Sequence, residues 1–406
     1  MASMVSLPQV AAALFLAACA LLVKLLWRAH TSSLSKLPGP WYSRYTNIVL
    51  RFHTLSGRRI FYVDELHKRY GGVVRIAPNE VAVADLAGVS QIHKVASGFL
   101  KSPFYSNLTP DQNPGIFAMR DPYAHAARRK LFARAFSNSS LKIHWDAEVR
   151  RKVVLAVERI KRDALGAEKG ADVLKWWTLM ATDVIAHLSF GESFDMLKSE
   201  KQTSYITALQ NALIDGVLHA EAPLLYAVLR YVPLKKVQNI VKATVEINRH
   251  GEIAVRNMRR SGGNTVNLFS QIVAASEGEQ KVSLTDKDVK EEAGNLIVAG
   301  SDTTAITLTY LVWAVLKQPE LQSQLEHEVS QLSDDLDNTE LEAAPLLNSV
   351  IEETLRLYGA APGALPRIVP SQGATIGGYR IPGGVEVSTQ AYTNHRDPSI
   401  FPNPLQ

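Results

Sequence analysis

EEAGNLIVAGSDTTAITLTYLVWAVL, residues 291–316, is the stretch on which the fold turns. Its apolar side chains run nearly all round a helix, and such a helix belongs in the centre of a large domain. Gly300-Ser301-Asp302-Thr303-Thr304 interrupts it at the middle. A carboxylate and hydroxyls are costly to bury without partners, so a notch of this kind has something polar to serve. Thr285 and Asp288 form a T-x-x-D capping box at the start, and Pro319 marks the stop beyond Lys317. Asp302 and Thr303 stand about 100° apart round the helix, so both border one groove. A buried acid beside an alcohol can relay protons through a water. The same residues also fit a purely local arrangement. In that case Thr303 and Thr304 bond back to carbonyls one turn earlier, and Asp302 pairs with a distant Arg.

The chain has 406 residues, 46% hydrophobic and 20% charged, which is enough for one large core or two modest ones. The net charge of +5 comes without a compact basic run interleaved with aromatics, so nucleic acid is not an expected partner. The single cysteine, Cys19, excludes an intrachain disulfide and a Cys-based zinc site.

Residues 1–35 read as a membrane anchor. An apolar stretch from Met4 to Trp27, densest at Val10–Val23, supplies the roughly 20 residues that a spanning helix needs. Lys24, Arg28 and Lys36 follow it, and no Asp or Glu precedes Asp64. That asymmetry places the main domain, residues 36–406, in the cytoplasm. A cleaved signal peptide ending near Ala18 and Ala20 is the competing reading, but no positive charge precedes the apolar run. Lys36-Leu37-Pro38-Gly39-Pro40 is a semi-rigid spacer.

Beyond the spacer, Ile60–Tyr70 has helical spacing and ends at Gly71-Gly72, and Val73–Ile76 with Val81–Ala84 reads as a hairpin. The chain from about Asp121 is mostly helical, with Arg150–Ala164 amphipathic and Val173–Phe190 buried. Leu224–Val232, between Pro223 and Pro233 and followed by Lys235-Lys236, fits either a membrane-touching segment or an ordinary core helix. Pro319–Leu332 and Ala344–Tyr358 are further helices. Short strands follow at Thr375–Ile376, Tyr379–Ile381 and Val385–Thr389. The class is mainly α with small β-sheets (α+β).

Two more clusters bear charge. Glu353 and Arg356 stand at i and i+3 on one helix face and can pair, although E-x-x-R alone is a weak motif. His125 and Arg129 share a face in HAARRK, residues 125–130. That face suits a carboxylate-bearing ligand, and equally a basic surface patch.

Taken in order and at their separations, these residues resemble the cytochrome P-450 family of haem-thiolate monooxygenases along essentially the whole chain. KLPGP is similar to the microsomal hinge, and GVVRIAPNE (72–80) to the first hairpin of fungal members. HAARRKLFARAFS (125–137) resembles the helix that holds a haem propionate. AGSDTT (299–304) resembles the oxygen-activation signature. Glu353–Arg356 matches the E-x-x-R, Pro366-Arg367 the second propionate segment, and NHRDPSIFPNP (394–404) the run that follows.

The resemblance implies a cytochrome P-450 fold with a haem cofactor. Asp302 and Thr303 would be the acid–alcohol pair that delivers protons for O–O cleavage. His125, Arg129 and Arg367 would anchor the propionates, and Leu296, Ala299 and Gly300 would flank the substrate cavity. Glu353 and Arg356 would hold the network beneath the haem. The partners implied are a membrane-bound NADPH-dependent reductase, a small apolar substrate and the lipid bilayer of the endoplasmic reticulum, crossed once. Fungal likeness suggests secondary metabolism, with a polyketide- or terpenoid-like substrate.

The family's Cys ligand follows a Phe-x-x-Gly-x-Arg-x-Cys pattern that does not occur before Gln406. Cys19 lies inside the anchor, and nothing in the sequence places His395 at an iron, whose ligand type sets its chemistry. No metal ligand is therefore assigned. The sequence-level expectation is an inactive chain truncated before the thiolate loop. The alternative is a non-catalytic, membrane-anchored remnant that at most binds the reductase through a basic face at Arg128, Lys130 and Arg134.

Overall fold

The computed structural model describes residues 15–405, apart from 17–18, 21–22, 25, 28, 109–114, 167–169, 244–246, 248–266, 273–283 and 334–337. Most of the expected anchor therefore lies outside the described residues. The chain forms two compact units, one of Met1–Ser102 with Gly363–Pro402 and one of Pro103–Pro362 with Asn403–Gln406.

The first unit carries α1 (Ile48–Leu55), α2 (Arg59–Tyr70), β1 (Val73–Ala77), β2 (Glu80–Val83), α3 (Leu86–His93) and β3 (Leu100–Lys101). Its later part adds β4 (Arg367–Ile368), β5 (Ala374–Ile376), β6 (Tyr379–Ile381), β7 (Glu386–Ser388) and a one-turn helix, Ala391–Asn394. The expected hairpin is present, with Val73 paired to Val83 and Val74 to Ala82. Five strands align in the order β1-β2-β7-β4-β3, and β5-β6 is a separate hairpin. Only β2 and β7 run parallel, which brings residues 80–82 beside residues 386–388.

Strand alternation divides this unit's core in two. Val81, Val83, Val369, Ile376, Ile381 and Val387 pack on one face of the sheet with Leu34 and Leu37. Val74, Ile76 and Ala82 pack on the other with Leu50, Val63 and Leu66 of α1 and α2. The spacer before the domain is part of this packing. The Arg75 amide donates to the Pro38 carbonyl at 2.8 Å, and a Cβ on Gly39 would run into the Arg75 carbonyl oxygen.

The second unit is helical. It contains α4 (Pro103–Leu108), α5 (Pro122–Ala135), α6 (Asn138–Gly166), α7 (Val173–Phe190), α8 (Met196–Ser199), α9 (Ser204–Glu221), α10 (Pro223–Leu229), α11 (Lys235–Val241), α12 (Asp286–Leu316), α13 (Pro319–Ser330), α14 (Asn338–Ala343) and α15 (Pro345–Tyr358). The capping box forms as the sequence predicts: Thr285 accepts from the Asp288 amide, and Asp288 accepts from the Thr285 amide.

Val289, Ala293, Ile297, Ser301 and Ala305, four residues apart, are all buried on one side of α12. There the helix packs against α7, in a cluster with Trp176, Leu179, Met180 and Phe190. The opposite side differs from the expectation of burial all round. Ala299, Thr303, Tyr310 and Trp313 form an exposed stripe. Among the described residues, only Asp286–Leu316 forms a helix long and apolar enough to cross a membrane. Its packing on α7 makes it this unit's core helix.

Gly300 also plays a different part from the one expected. The room it leaves is taken by Ile185 of α7, whose Cγ1 would stand 3.0 Å from an added Cβ. Gly300 thus permits helix–helix approach rather than opening the groove. Gly300→Val is expected to destabilise the protein by about 1–3 kcal/mol through overpacking. Because the two sites touch, Ile185→Ala should return part of that loss in the same chain, and denaturant titration of the four variants reads the non-additivity.

Candidate active site

The hydroxyl residues of α12 bond back along their own helix. Thr303 Oγ1 donates to the Ala299 carbonyl at 2.6 Å, Ser301 Oγ to Ile297 at 2.7 Å and Thr307 Oγ1 to Thr303 at 2.9 Å. This satisfies the O–H groups of Ser301, Thr303 and Thr307. Thr303 nevertheless sits on the exposed stripe, where its hydroxyl oxygen keeps lone pairs for a further donor. Asp302 turns the other way, half-buried toward α9. Its partner is not an arginine. Gln210 Nε2 lies 3.3 Å from Oδ1 and 3.4 Å from Oδ2. The acid and the alcohol are thus neighbours in sequence that serve different sides of one helix.

On α5, adjacent arginines are divided in the same manner. His125 is half-buried and Arg129 exposed, whereas Arg128 is buried. Arg128 Nη1 donates to Glu292 at 2.9 Å and Nη2 to Asp288 at 2.9 Å. The Ile116 amide donates to both Glu292 oxygens, at 2.9 and 3.1 Å. One guanidinium therefore ties α5 to the first turns of α12, and Glu292 holds the loop before α5. Arg128 is no part of a basic docking face, because its charge is spent on two carboxylates.

Burial raises the Glu292 carboxyl above its ordinary range, and the Ile116 amide and Arg128 offset this only in part. For Asp288 burial acts upward too, but hydrogen bonds from Thr285 and Arg128 outweigh it and leave the group lowered. The sequence reading missed this cluster. Its signal was Asp288 and Glu292 at i and i+4, two like charges on one helix face that call for a cation.

Glu353 and Arg356 pair as expected, with Nε to Oε2 at 2.7 Å. Glu353 is held below its usual range by that hydrogen bond. Arg356 is the more enclosed partner, and its Nη1 donates to the Pro404 carbonyl at 3.0 Å. The pair thereby fixes residues 403–404 against α15.

Arg367 lies on β4 of the first unit, whereas the α5 residues with which it was grouped belong to the second. Its Nε is buried and has no hydrogen-bond partner. Nearby His93 bonds Thr389 Oγ1 through Nε2 at 2.7 Å. Burial, then the charge of Arg367, hold this imidazole below its ordinary range. A buried, unanswered guanidinium N–H suits an anionic group such as a propionate, and so does the His125–Arg129 face of α5. The thiolate does not come from the described part of the site, since the one cysteine is Cys19. His395 ends the one-turn helix Ala391–Asn394. Among the described residues, no three His, Cys, Asp or Glu side chains gather as a metal site.

A mainly helical protein with small sheets, an acid–alcohol pair on its core helix and carboxylate-seeking basic residues is the class that this geometry defines. The cytochrome P450 family model matches residues 38–406, and the chain belongs to that family. It is 40% identical over 391 residues to the cytochrome P450 monooxygenase aflV of Aspergillus parasiticus, covering 94% of this chain and 76% of that one. It is 40% identical over 382 residues to the cytochrome P450 monooxygenase stcB of Emericella nidulans, covering 92% and 72%. It is 33% identical over 393 residues to the methylphloroacetophenone oxidase of Cladonia uncialis, covering 93% and 85%.

The buried triad has a measurable consequence. Arg128→Met strands Glu292 without its cation, which is expected to cost about 3–5 kcal/mol near neutral pH. A carboxyl raised in the folded state contributes stability at low pH that is lost as pH rises through its folded value. The loss in Arg128→Met should therefore shrink toward pH 4 and grow toward pH 8, as read by unfolding midpoints across that range.

Proposed function

We propose that this protein is a microsomal-type P450 monooxygenase of fungal secondary metabolism that oxidises a small apolar, polyketide- or terpenoid-like compound. The observation that carries the reading is the placement of Thr303 on the exposed stripe of the core helix, with Asp302 next to it in sequence and facing α9. Haem, when bound, supplies the chemistry of O2 activation. Thr303, anchored to the Ala299 carbonyl, holds its hydroxyl at a fixed position on the stripe and accepts a hydrogen bond there. Asp302, held on the α9 side, would resupply the proton once its carboxylate turns toward Thr303. Ala299 leaves the stripe shallow, and Tyr310 and Trp313 extend it with apolar surface. Arg129 with His125 on α5, and separately Arg367 on β4, are residues that would neutralise a propionate. Glu353 and Arg356 hold the segment at Pro404.

The substrate class rests on the relatives. One of them is named for oxidising methylphloroacetophenone, an acylated phenol. A flat aromatic molecule of that kind matches the aromatic character of the stripe.

Membrane attachment is part of the proposal, with residues 1–35 as a single-pass anchor and residues 36–406 as the haem domain on the cytoplasmic side of the endoplasmic reticulum. Phe15, Leu16, Val23 and Trp27 are helical and expose more than half of their surface. On α10 and just after it, Leu224, Val228 and Tyr231 are also exposed, ahead of Lys235 and Lys236. Exposed apolar side chains beside lysines favour a membrane surface over the ordinary core helix also considered. A membrane-bound NADPH-dependent reductase would meet the remaining basic face of α5, at Lys130 and Arg134.

Two measurements test this reading. Asp302→Asn, in the protein as expressed from its gene, is expected to lower the turnover rate by about 10²-fold, the scale of a lost general acid; an unchanged rate would remove the relay role. A preparation of residues 1–406 carries no thiol other than Cys19. Reduced and exposed to carbon monoxide, it is expected to lack the thiolate-type absorption shift, and to be inactive for want of that ligand. A clear shift would overturn that expectation.

A further inference from the structure

Asp302 has a side-chain partner that the family signature does not contain. Ile206, Gln210 and Leu213 lie on one face of α9, at i, i+4 and i+7. With Ile297, Val298, Ser301 and Asp302 they line a cavity of about 10 Å³ between α9 and α12, room for about one water. Most of its walls are apolar. The hydroxyl of Ser301 is committed to the Ile297 carbonyl at 2.7 Å. Among the described side chains, Gln210 Nε2 is then the donor that faces the carboxylate, and it spans both oxygens, at 3.3 and 3.4 Å. A carboxylate in such a setting is oriented by that amide.

We propose that Gln210 is the positioning residue for Asp302. It holds the carboxylate on the α9 side of the helix, away from the back-bonded Thr303 hydroxyl, and so makes the acid's approach to the groove depend on where α9 stands. A shift of α9 that carries Gln210 with it releases Asp302 to turn toward Thr303. A change of α9 when substrate enters would in this way be read directly by the proton-donating group. The catalytic side of this inference rests on the reading of Asp302 as the acid. The Gln210 contact does not, and the two can fail separately.

The test exchanges the amide and the carboxylate across the pair. Gln210→Glu, Asp302→Asn and the double variant are compared in the full chain by resistance to denaturant at pH 7.5. Gln210→Glu sets two carboxylates face to face and is expected to lower the folding constant at least about ten-fold. The double variant restores an amide–carboxylate pair in reverse order and should return to within about three-fold of the parent. The loss in Gln210→Glu should fade as pH falls through the carboxylate range, because one of the facing carboxyls then takes a proton. Gln210→Met, which keeps the length but not the donor, should show no such pH profile, and serves in the same cycle if Gln210→Glu does not fold. In the protein as expressed from its gene, Gln210→Met frees Asp302 of that restraint and should raise O2 consumption in the absence of substrate at least about three-fold. Losses that simply multiply in the double variant, or an O2 consumption that Gln210→Met leaves unchanged, would overturn the proposal. An unchanged turnover rate in Asp302→Asn would instead remove the acid role itself.

Discussion

The packing of α12 on α7 is the constraint on which the second unit depends. Val289, Ala293, Ile297, Ser301 and Ala305 present one continuous buried edge, and Gly300 lets Ile185 come close beside it. Interiors are packed densely enough that such an edge fits in only one rotation of the helix. Once that rotation is set, every other residue of the notch has its direction. Thr303 faces the exposed stripe and Asp302 faces α9. The polar residues do not orient the helix. The apolar edge does, and the polar residues are carried with it.

A second constraint fixes α12 along its start. Asp288 and Glu292 would repel one another on a helix face, and Glu292 is 1% exposed. Arg128 answers both at 2.9 Å, and the Ile116 amide answers Glu292 again. Buried ion groups contribute less to stability than to geometry, because desolvation offsets much of their attraction. Here the geometry concerns α5. With Arg128 turned into the core, Arg129 is left exposed about 100° further round the same helix. Which of the two adjacent arginines stays at the surface is thus selected by what its neighbour must bury.

Much of the architecture was legible in the residue pattern. The hairpin at β1 and β2, the capping box at Thr285, the helix from Val173 to Phe190 and the E-x-x-R pair all stand where spacing and turn chemistry put them. These features are local, and each is decided within a few residues. What spacing did not reveal was long-range pairing. Asp302 was matched to a distant arginine and meets Gln210, 92 residues away. Arg128 was assigned to a surface and meets residues 160 and 164 positions away. Gly300 was assigned to a ligand and meets Ile185. Nothing within one turn of these residues records those partners, since a side chain's neighbour across helices depends on how the helices pack.

By itself the sequence determined the helix-rich class, the core helix with its acid and alcohol, the order of motifs that marks the family, and the presence of a single thiol at Cys19. These follow from periodicity, capping and residue identity, which are properties of the chain read in one dimension. The tertiary structure alone decided which way each polar group faces, which cation is committed to the core and which is left at the surface, and that a glutamine on α9 stands against the acid. Those outcomes depend on close packing between segments far apart in the chain, where one rotation satisfies the apolar edge and the charges are paired with whatever it brings within reach.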